Sequence, residues 1–308
     1  MWPRSWWRVG RRAPITDTPR FIAVNRKSPS ARLPKRRALR QTQCVIMRTE
    51  RRRTMLPADS PRTALIVLTT PRSGSSWTAS LMRSTETMGV CREWLTRLIH
   101  PNAQSRSELP PDGAHNGEVF LTNLREAAGT RNGVFAIKII SSIWSELPAA
   151  LVRWGIGDGV SDAWAARVFP RPAILVLRRR DTVGQAVSMW RATATNRFAI
   201  RTDDAVPQEM PPYDFAALRL ALQQVEHHAR ELQRAANSCA QIPGAVMIEA
   251  VYEEMLGDPV PTVRAFARLA GRDIPLDHHF ATDLRIQRDD ATNAIRKLFE
   301  RDLASAKS

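Results

Sequence analysis

The chain has 308 residues and a net charge of +16, carried by 46 Lys and Arg against 30 Asp and Glu, a length that favours one domain with extensions. Residues 1–62 hold 17 Lys and Arg against Asp17, Glu50 and Asp59, so fourteen of the sixteen net charges precede residue 63. The basic balance therefore describes a tail and excludes reading the whole protein as a nucleic-acid binder from its charge. Cys44, Cys91 and Cys239 are odd in number, far apart and outside any C-x-x-C. They indicate neither a disulfide framework nor a zinc site, and suit a reducing cytoplasm. No run of 18 apolar residues occurs, so no membrane span is expected. The pairs His227-His228 and His278-His279 would point to different faces of a helix, so a shared metal is not expected.

Arg11-Arg12, Lys35-Arg36-Arg37 and Arg51-Arg52-Arg53 stand among Pro and Ser without periodicity, the composition of a disordered arm. No apolar stretch follows the twin arginines, which argues against a secretion signal. Three readings of residues 1–62 stay open: an arm for nucleic acid or an anionic membrane, an Arg-rich transit segment, or sequence upstream of the true start. Met47 and Met55 are candidate starts, and the third reading is preferred, because Met55 leaves only a short lead into the first strand.

Ala64 to Leu68 is an unbroken apolar run, which predicts a strand buried on both faces. It enters Thr69-Thr70-Pro71-Arg72-Ser73-Gly74-Ser75-Ser76 and then a helix expected over Trp77 to about Met88. Strand, small-residue turn and helix start are the parts of an anion cradle. Gly74 permits close backbone approach, and the first N–H groups of the helix point at one oxyanion. Arg72 and the hydroxyls of Ser73, Ser75 and Ser76 add charge and donors. The loop is not a Walker A, which needs G-x-x-x-x-G-K-[ST]; here no Lys follows Gly74.

Gly89 to Arg92 turns towards Glu93-Trp94-Leu95. Residues 97–117, with Pro101, Pro110, Pro111 and Gly113, predict a loop or lid. A helix is expected from Glu118 to Ala128, and a second buried strand from Val134 to Ile140, interrupted only by Lys138, which suits an amine aimed at an anion. Trp144 to Trp154 reads as helical. Gly155 to Pro172 reads as a connection, with a helical turn near Trp164. Ala173 to Leu177 is the third strand, closed by Arg178-Arg179-Arg180-Asp181.

Asp181 is a plausible N-cap for a helix from Thr182 to about Phe198. Its apolar stripe of Val183, Ala186, Val187, Trp190 and Ala194 leaves Gln185 and Ser188 to one side. Tyr213 to Cys239 predicts a long helix striped by Phe215, Leu218, Leu222, Val225, Ala229, Leu232 and Ala236. That stripe reads as core, and its mixed spacing also suits a homodimer contact. Ala245 to Ile248 is a fourth strand, Thr262 to Ala270 a helix ended by Gly271, and Asp289 to Leu303 the last helix. Strands separated by helical stretches give an α/β fold with a mainly parallel sheet.

P-R-S-G-S-S-W after the first strand resembles the loop with which sulfotransferases hold the 5′-phosphosulfate of 3′-phosphoadenosine 5′-phosphosulfate (PAPS). More narrowly, Arg72 to Leu95 (RSGSSWTASLMRSTETMGVCREWL) resembles the opening of the trehalose 2-sulfotransferase family and its lipopolysaccharide and nodulation-factor relatives. The likeness continues through Val134–Ile140 and Ala173–Thr195. It is weaker through Ala245–Gly271, where Glu253, Glu254, Leu256 and Asp258-Pro259 resemble a Y-E-x-L-x-x-D-P turn. Gln287 and Asp289 stand at the family's Q-x-D element, but its flanking Arg and following Trp are replaced by Ile286 and Ile295.

The resemblance implies a P-loop-like sulfotransferase domain over residues 63–308 with PAPS as co-substrate and no metal. It implies that Arg72, Ser73, Gly74, Ser75, Ser76 and Trp77 hold the phosphosulfate, with Arg72 also stabilising the leaving phosphate. Arg179 and Ser188 match the element for the 3′-phosphate; Arg178 and Arg180 read more readily as solvated. Glu93 aligns with the proposed base, Trp94 beside it offers a sugar a stacking face, and Lys138 reaches the same anion. The acceptor implied is a carbohydrate hydroxyl, of trehalose or a glycolipid sugar, chosen by residues 97–133. Two rivals remain. One is a non-catalytic nucleotide or polyanion binder working through its basic arm. The other is a phosphotransferase, against which the missing loop Lys and the lack of an obvious Mg²⁺-binding acid argue.

Overall fold

The computed structural model describes residues 63–99, 117–157, 163–202, 204, 210–285 and 289–306. The basic arm, most of the expected lid and Gln287 lie outside the described residues. In chain order the elements are β1 (Thr63–Thr69), α1 (Ser75–Ser84), α2 (Thr96–Ile99), α3 (Gly117–Ala128), β2 (Val134–Ile140), α4 (Ser141–Trp144), α5 (Leu147–Val152) and α6 (Ala163–Val168). They continue with β3 (Ala173–Arg178), α7 (Thr182–Thr195), α8 (Phe215–Ala240), β4 (Val246–Val251), α9 (Tyr252–Gly257), α10 (Val260–Leu269) and α11 (Asp290–Ser305).

The four strands form one parallel sheet in the order β2-β1-β3-β4. Alternate residues of the central strands serve opposite cores, which is why their sequences read as continuous apolar runs. Ile66, Leu68, Ile137, Ile139, Ile174 and Val176 face the cluster that includes Leu121, Leu151, Trp164 and Leu232. Leu65, Val67, Ala136, Leu175 and Leu177 face Leu81, Met82, Val263 and Phe266 of α1 and α10. Full burial of one such Leu, Ile or Val stabilises by about 1.5–3 kcal/mol. A third cluster joins α7, α8 and α11 through Val187, Trp190, Leu218, Val225, Ile295 and Phe299.

The chain leaves β1 for α1 on one side of the sheet, and leaves β3 for α7, which packs on α8 on the other side. Adjacent parallel strands whose connections part in this way open a crevice at their carboxyl ends, where ligands of open α/β sheets bind.

Several elements differ from their predicted extent. Helix α1 stops at Ser84, where the hydroxyls of Ser84 and Thr85 donate to the carbonyls of Leu81 and Met82. The helix expected over 144–154 is two short ones, with Pro148 in the first turn of the second, where its missing N–H costs nothing. Residues 97–99, expected within a loop, belong to α2. On α7, Ala194 is exposed whereas Gln185 and Met189 are buried, because the loop after β1 covers Gln185 and Met189 joins the cluster with α8 and α11. On α8, His228 rather than Ala229 enters the core.

Candidate active site

The loop between β1 and α1 is held from below by its own hydroxyls. Thr69 Oγ1 donates to the carbonyl of Leu177 on β3 (3.1 Å) and meets Ser73 Oγ, which donates to the carbonyl of Thr70 (2.7 Å). Ser73 is fully buried, so its hydroxyl shapes the loop and does not face the crevice. Gln185, also buried, reaches across from α7 and donates to Thr70 Oγ1 (2.8 Å) and to the Pro71 carbonyl (2.6 Å). Arg72 and Gly74 both have positive φ, +62° and +81°. Arg72 carries the strain of that conformation. Gly74 avoids it, and its missing side chain is also required by packing, since a Cβ there would lie 2.2 Å from the Tyr252 ring. Gly74 caps α1 without a side-chain hydrogen bond, leaving first-turn N–H groups to an external acceptor.

The second arginine element meets the first. Arg179 Nη1 donates to the Arg72 carbonyl (3.0 Å), and its guanidinium lies 5.3 Å from the Tyr252 ring centroid. Its other neighbours are Asp181 (3.6 Å) and Glu253 (3.8 Å). Asp181 is the N-cap of α7, accepting from Gly184 N (2.9 Å). Glu253 accepts from the backbone N–H of Arg180 and of Asp181, so the turn after β4 braces the turn after β3. Ser188 Oγ accepts from Arg72 Nε at 3.0 Å, and Arg72 also donates to the Phe198 carbonyl. Arg72 and Ser188, assigned to separate sites on sequence grounds, are thus in direct contact. Burial, and next the positive charge of Arg179, lower the Arg72 pKa to about 10, so it stays charged at neutral pH. Arg178 and Arg180 are engaged elsewhere, with Glu249 and with Glu254.

Glu93 is positioned by backbone pairing. Arg92 forms a parallel bridge to Ile137, with Lys138 N donating to the Arg92 carbonyl (2.9 Å). This sets Glu93 beside the carboxyl half of β2. The largely buried Lys138 amine bonds both Ser76 Oγ (2.9 Å) and Glu93 Oε1 (2.8 Å), while the Glu93 side chain is 37% exposed. Ser76, in the first turn of α1, therefore links the loop after β1 to the Lys138–Glu93 pair. Trp94 corrects the sequence reading. It is 2% exposed, with its indole N–H donating to the Val90 carbonyl (2.8 Å), and has no open face for a sugar.

One cleft at the carboxyl ends of β1 and β3 collects Arg72, Gly74, Ser75, Ser76, Trp77, Arg179 and Ser188. Glu93 and Lys138 adjoin it through Ser76. The cleft also has walls that sequence reasoning missed: Gly184, Tyr252, Phe198, Ile200, Leu284, Thr292, Asn293 and Arg296. Tyr252 opens the Y-E-x-L-x-x-D-P turn and was within reach of a motif argument. Gly184 is required because a Cβ would fall 2.1 Å from Asp181 Oδ2. The α11 residues carry no local signal, since only the packing of α11 on α7 brings them to the cleft.

A loop of small residues after a central parallel strand, the start of a helix and two converging arginine–serine elements define a P-loop-like α/β domain without the Walker lysine. Residues 64–302 match the model of the Stf0 sulphotransferase family, and the chain belongs to that family. The trehalose 2-sulfotransferase of Mycolicibacterium smegmatis (strain ATCC 700084 / mc(2)155) is 27% identical over 175 residues. That alignment covers 47% of this chain and 62% of the relative. Among solved structures, a sulfotransferase from Alicyclobacillus acidocaldarius is similar at 16% identity and a TM-score of 0.39, over 80% of this chain and 94% of that one. The sulfotransferase domain from the curacin biosynthetic pathway is similar at 12% identity and the same TM-score, over 78% and 98%. The family expected from Arg72 to Leu95 is borne out, as is the α/β fold with its parallel sheet. No helix among the described residues is long and apolar enough to cross a membrane.

Proposed function

We propose that the domain transfers a sulfuryl group from PAPS to a carbohydrate hydroxyl, of trehalose or a glycolipid-type sugar. The observation that carries this reading is the convergence of Arg72, Ser76, Arg179 and Ser188 on one cleft, with Lys138 and Glu93 joined to it through Ser76. The loop N–H groups, Ser75 and Ser76 would hold the 5′-phosphosulfate, and Arg179 with Ser188 the 3′-phosphate. Arg72, between them, absorbs charge that builds on the leaving phosphate. Anchoring the nucleotide at both ends aligns sulfur for in-line attack.

Glu93 takes the acceptor proton as the acceptor oxygen bonds to sulfur. The bond from sulfur to the bridging oxygen breaks, and 3′-phosphoadenosine 5′-phosphate leaves with that electron pair. Lys138 steadies the Glu93 carboxylate and lies near the transferred group. The sugar acceptor is supported by the named activity of the mycobacterial relative. Incubation with PAPS labelled in its sulfuryl group and a panel of sugars including trehalose tests the proposal. Labelled sugar and 3′-phosphoadenosine 5′-phosphate should appear in equal amounts. Tight donor binding with no transfer to any sugar would favour a non-catalytic nucleotide binder.

A further inference from the structure

The last helix enters the cleft beside the second arginine element. Arg296 of α11 lines the same cleft as Arg72, Arg179 and Ser188. Its Nη1 donates to Asp181 Oδ2 (2.9 Å), the same oxygen that Arg179 Nη2 approaches at 3.6 Å. Its Nε is held by Glu300 one turn on (2.8 Å), which fixes the plane of the guanidinium. Its Nη2 has no hydrogen-bond partner among the described residues. The side chain is 36% exposed, so part of the charge is open to the cleft. Helix α11 is not loosely placed: Arg191, buried in α7, bonds Asp289 (2.9 Å) and Thr292 (2.8 Å) at its start.

Two guanidiniums close enough to share one carboxylate oxygen are close enough to share one phosphate. A phosphate monoester carries about −1.5 to −2 charges and three acceptor oxygens, and so makes more charge-assisted bonds than Asp181 supplies. We propose that Arg296 is a ligand of the donor's 3′-phosphate beside Arg179 and Ser188, and that it sets the preference for a 3′-phosphorylated nucleotide. The proposal rests on the donor reading above and extends it to a helix in which the family's pattern is only partly kept.

The test is calorimetric binding of 3′-phosphoadenosine 5′-phosphate and of adenosine 5′-phosphate at one fixed salt concentration. It compares the wild type with Arg296→Ala, Arg296→Lys and Arg301→Ala. Arg301 lies on the same helix, is exposed and pairs with Asp302, so its variant makes the same change in net charge away from the cleft. Arg296→Ala should weaken the bisphosphate by about tenfold or more and the monophosphate by less than about threefold. Arg296→Lys, which keeps a charge for Asp181 but loses the planar fork, should weaken the bisphosphate by about threefold. Arg301→Ala should change neither. If Arg296→Ala fails to fold, the lysine variant decides. Undiminished bisphosphate affinity in the Arg296 variants, or equal loss for both nucleotides, would overturn the assignment while the donor reading stands. A wild type that binds neither nucleotide would overturn both.

Discussion

The two ends of the site are built differently. Between β1 and β3 the loop after β1 is held by redundant contacts: Thr69 to Leu177, Ser73 to Thr70, Gln185 to Thr70 and Pro71, and Arg179 to the Arg72 carbonyl. Between β1 and β2 a single amine, that of Lys138, joins Ser76 to a partly exposed Glu93. Holding a highly charged nucleotide requires donors fixed in advance, so loss of one contact should weaken that end without disabling it. Moving a proton requires one group in reach of the acceptor and of solvent, so the other end should fail all at once. On the proposed function the comparison separates binding from turnover, and each substitution below bears on it.

The largest effect is expected at Glu93. Glu93→Gln keeps size and hydrogen bonding but removes the proton acceptor, and turnover should fall by roughly two to four orders of magnitude. Donor affinity should survive, because the carboxylate touches Lys138 and not the arginine cleft. Paired calorimetry and transfer assays measure the two quantities. Full activity would remove Glu93 as the base; lost donor binding would mean that the Glu93–Lys138 pair organises the loop through Ser76.

A smaller effect is expected from Arg179→Ala. Charge-assisted hydrogen bonds contribute about 1.5–3 kcal/mol, so affinity for 3′-phosphoadenosine 5′-phosphate should fall by about tenfold or more, with adenosine 5′-phosphate much less affected. Because Arg179 also braces the Arg72 carbonyl, some shared loss is expected. Equal loss for both nucleotides would assign Arg179 to loop support alone.

How much of this was legible depended on whether a residue's role is local. Strands β1, β2 and β3 were readable almost to the residue, because burial on both faces leaves an unbroken apolar run bounded by turn residues. Lys138 stood out against such a run, and Asp181 against a helix start. The roles of Gln185, Tyr252 and Arg296 depend on partners about 115, 180 and 115 positions away in the chain, and no spacing rule encodes such contacts. Trp94 was misread for a related reason. An aromatic beside an acid in a turn looks available for a sugar, and only the bridge of Arg92 to Ile137 shows that its ring turns into the core.

The last effect is on stability in acid rather than on the reaction, and it separates the two ends by what supports them. The loop at the β1–β3 end is held by hydroxyls, the Gln185 amide and the Arg179 guanidinium, none of which titrates in the mildly acidic range. Behind β2, Ser141 donates to the carbonyl of His228 on α8 (3.1 Å). His228 is 1% exposed. Burial, and then the neighbouring His227, lower its pKa from the ordinary 6.5 to about 4. The folded protein therefore holds His228 neutral where the unfolded chain would protonate it. Stability from this group is complete above pH 6.5 and declines as pH falls towards 4, by at most about 1.4 kcal/mol per pH unit. Urea unfolding at pH 7.5 and pH 5 should show the wild type losing roughly 2 kcal/mol more than His228→Gln over that interval. The measurement is a difference of slopes, so any cost of the substitution at pH 7.5 cancels. Equal losses in the two proteins would mean that His228 carries no acid sensitivity. The support behind β2 would then be as indifferent to mild acid as the arginine end.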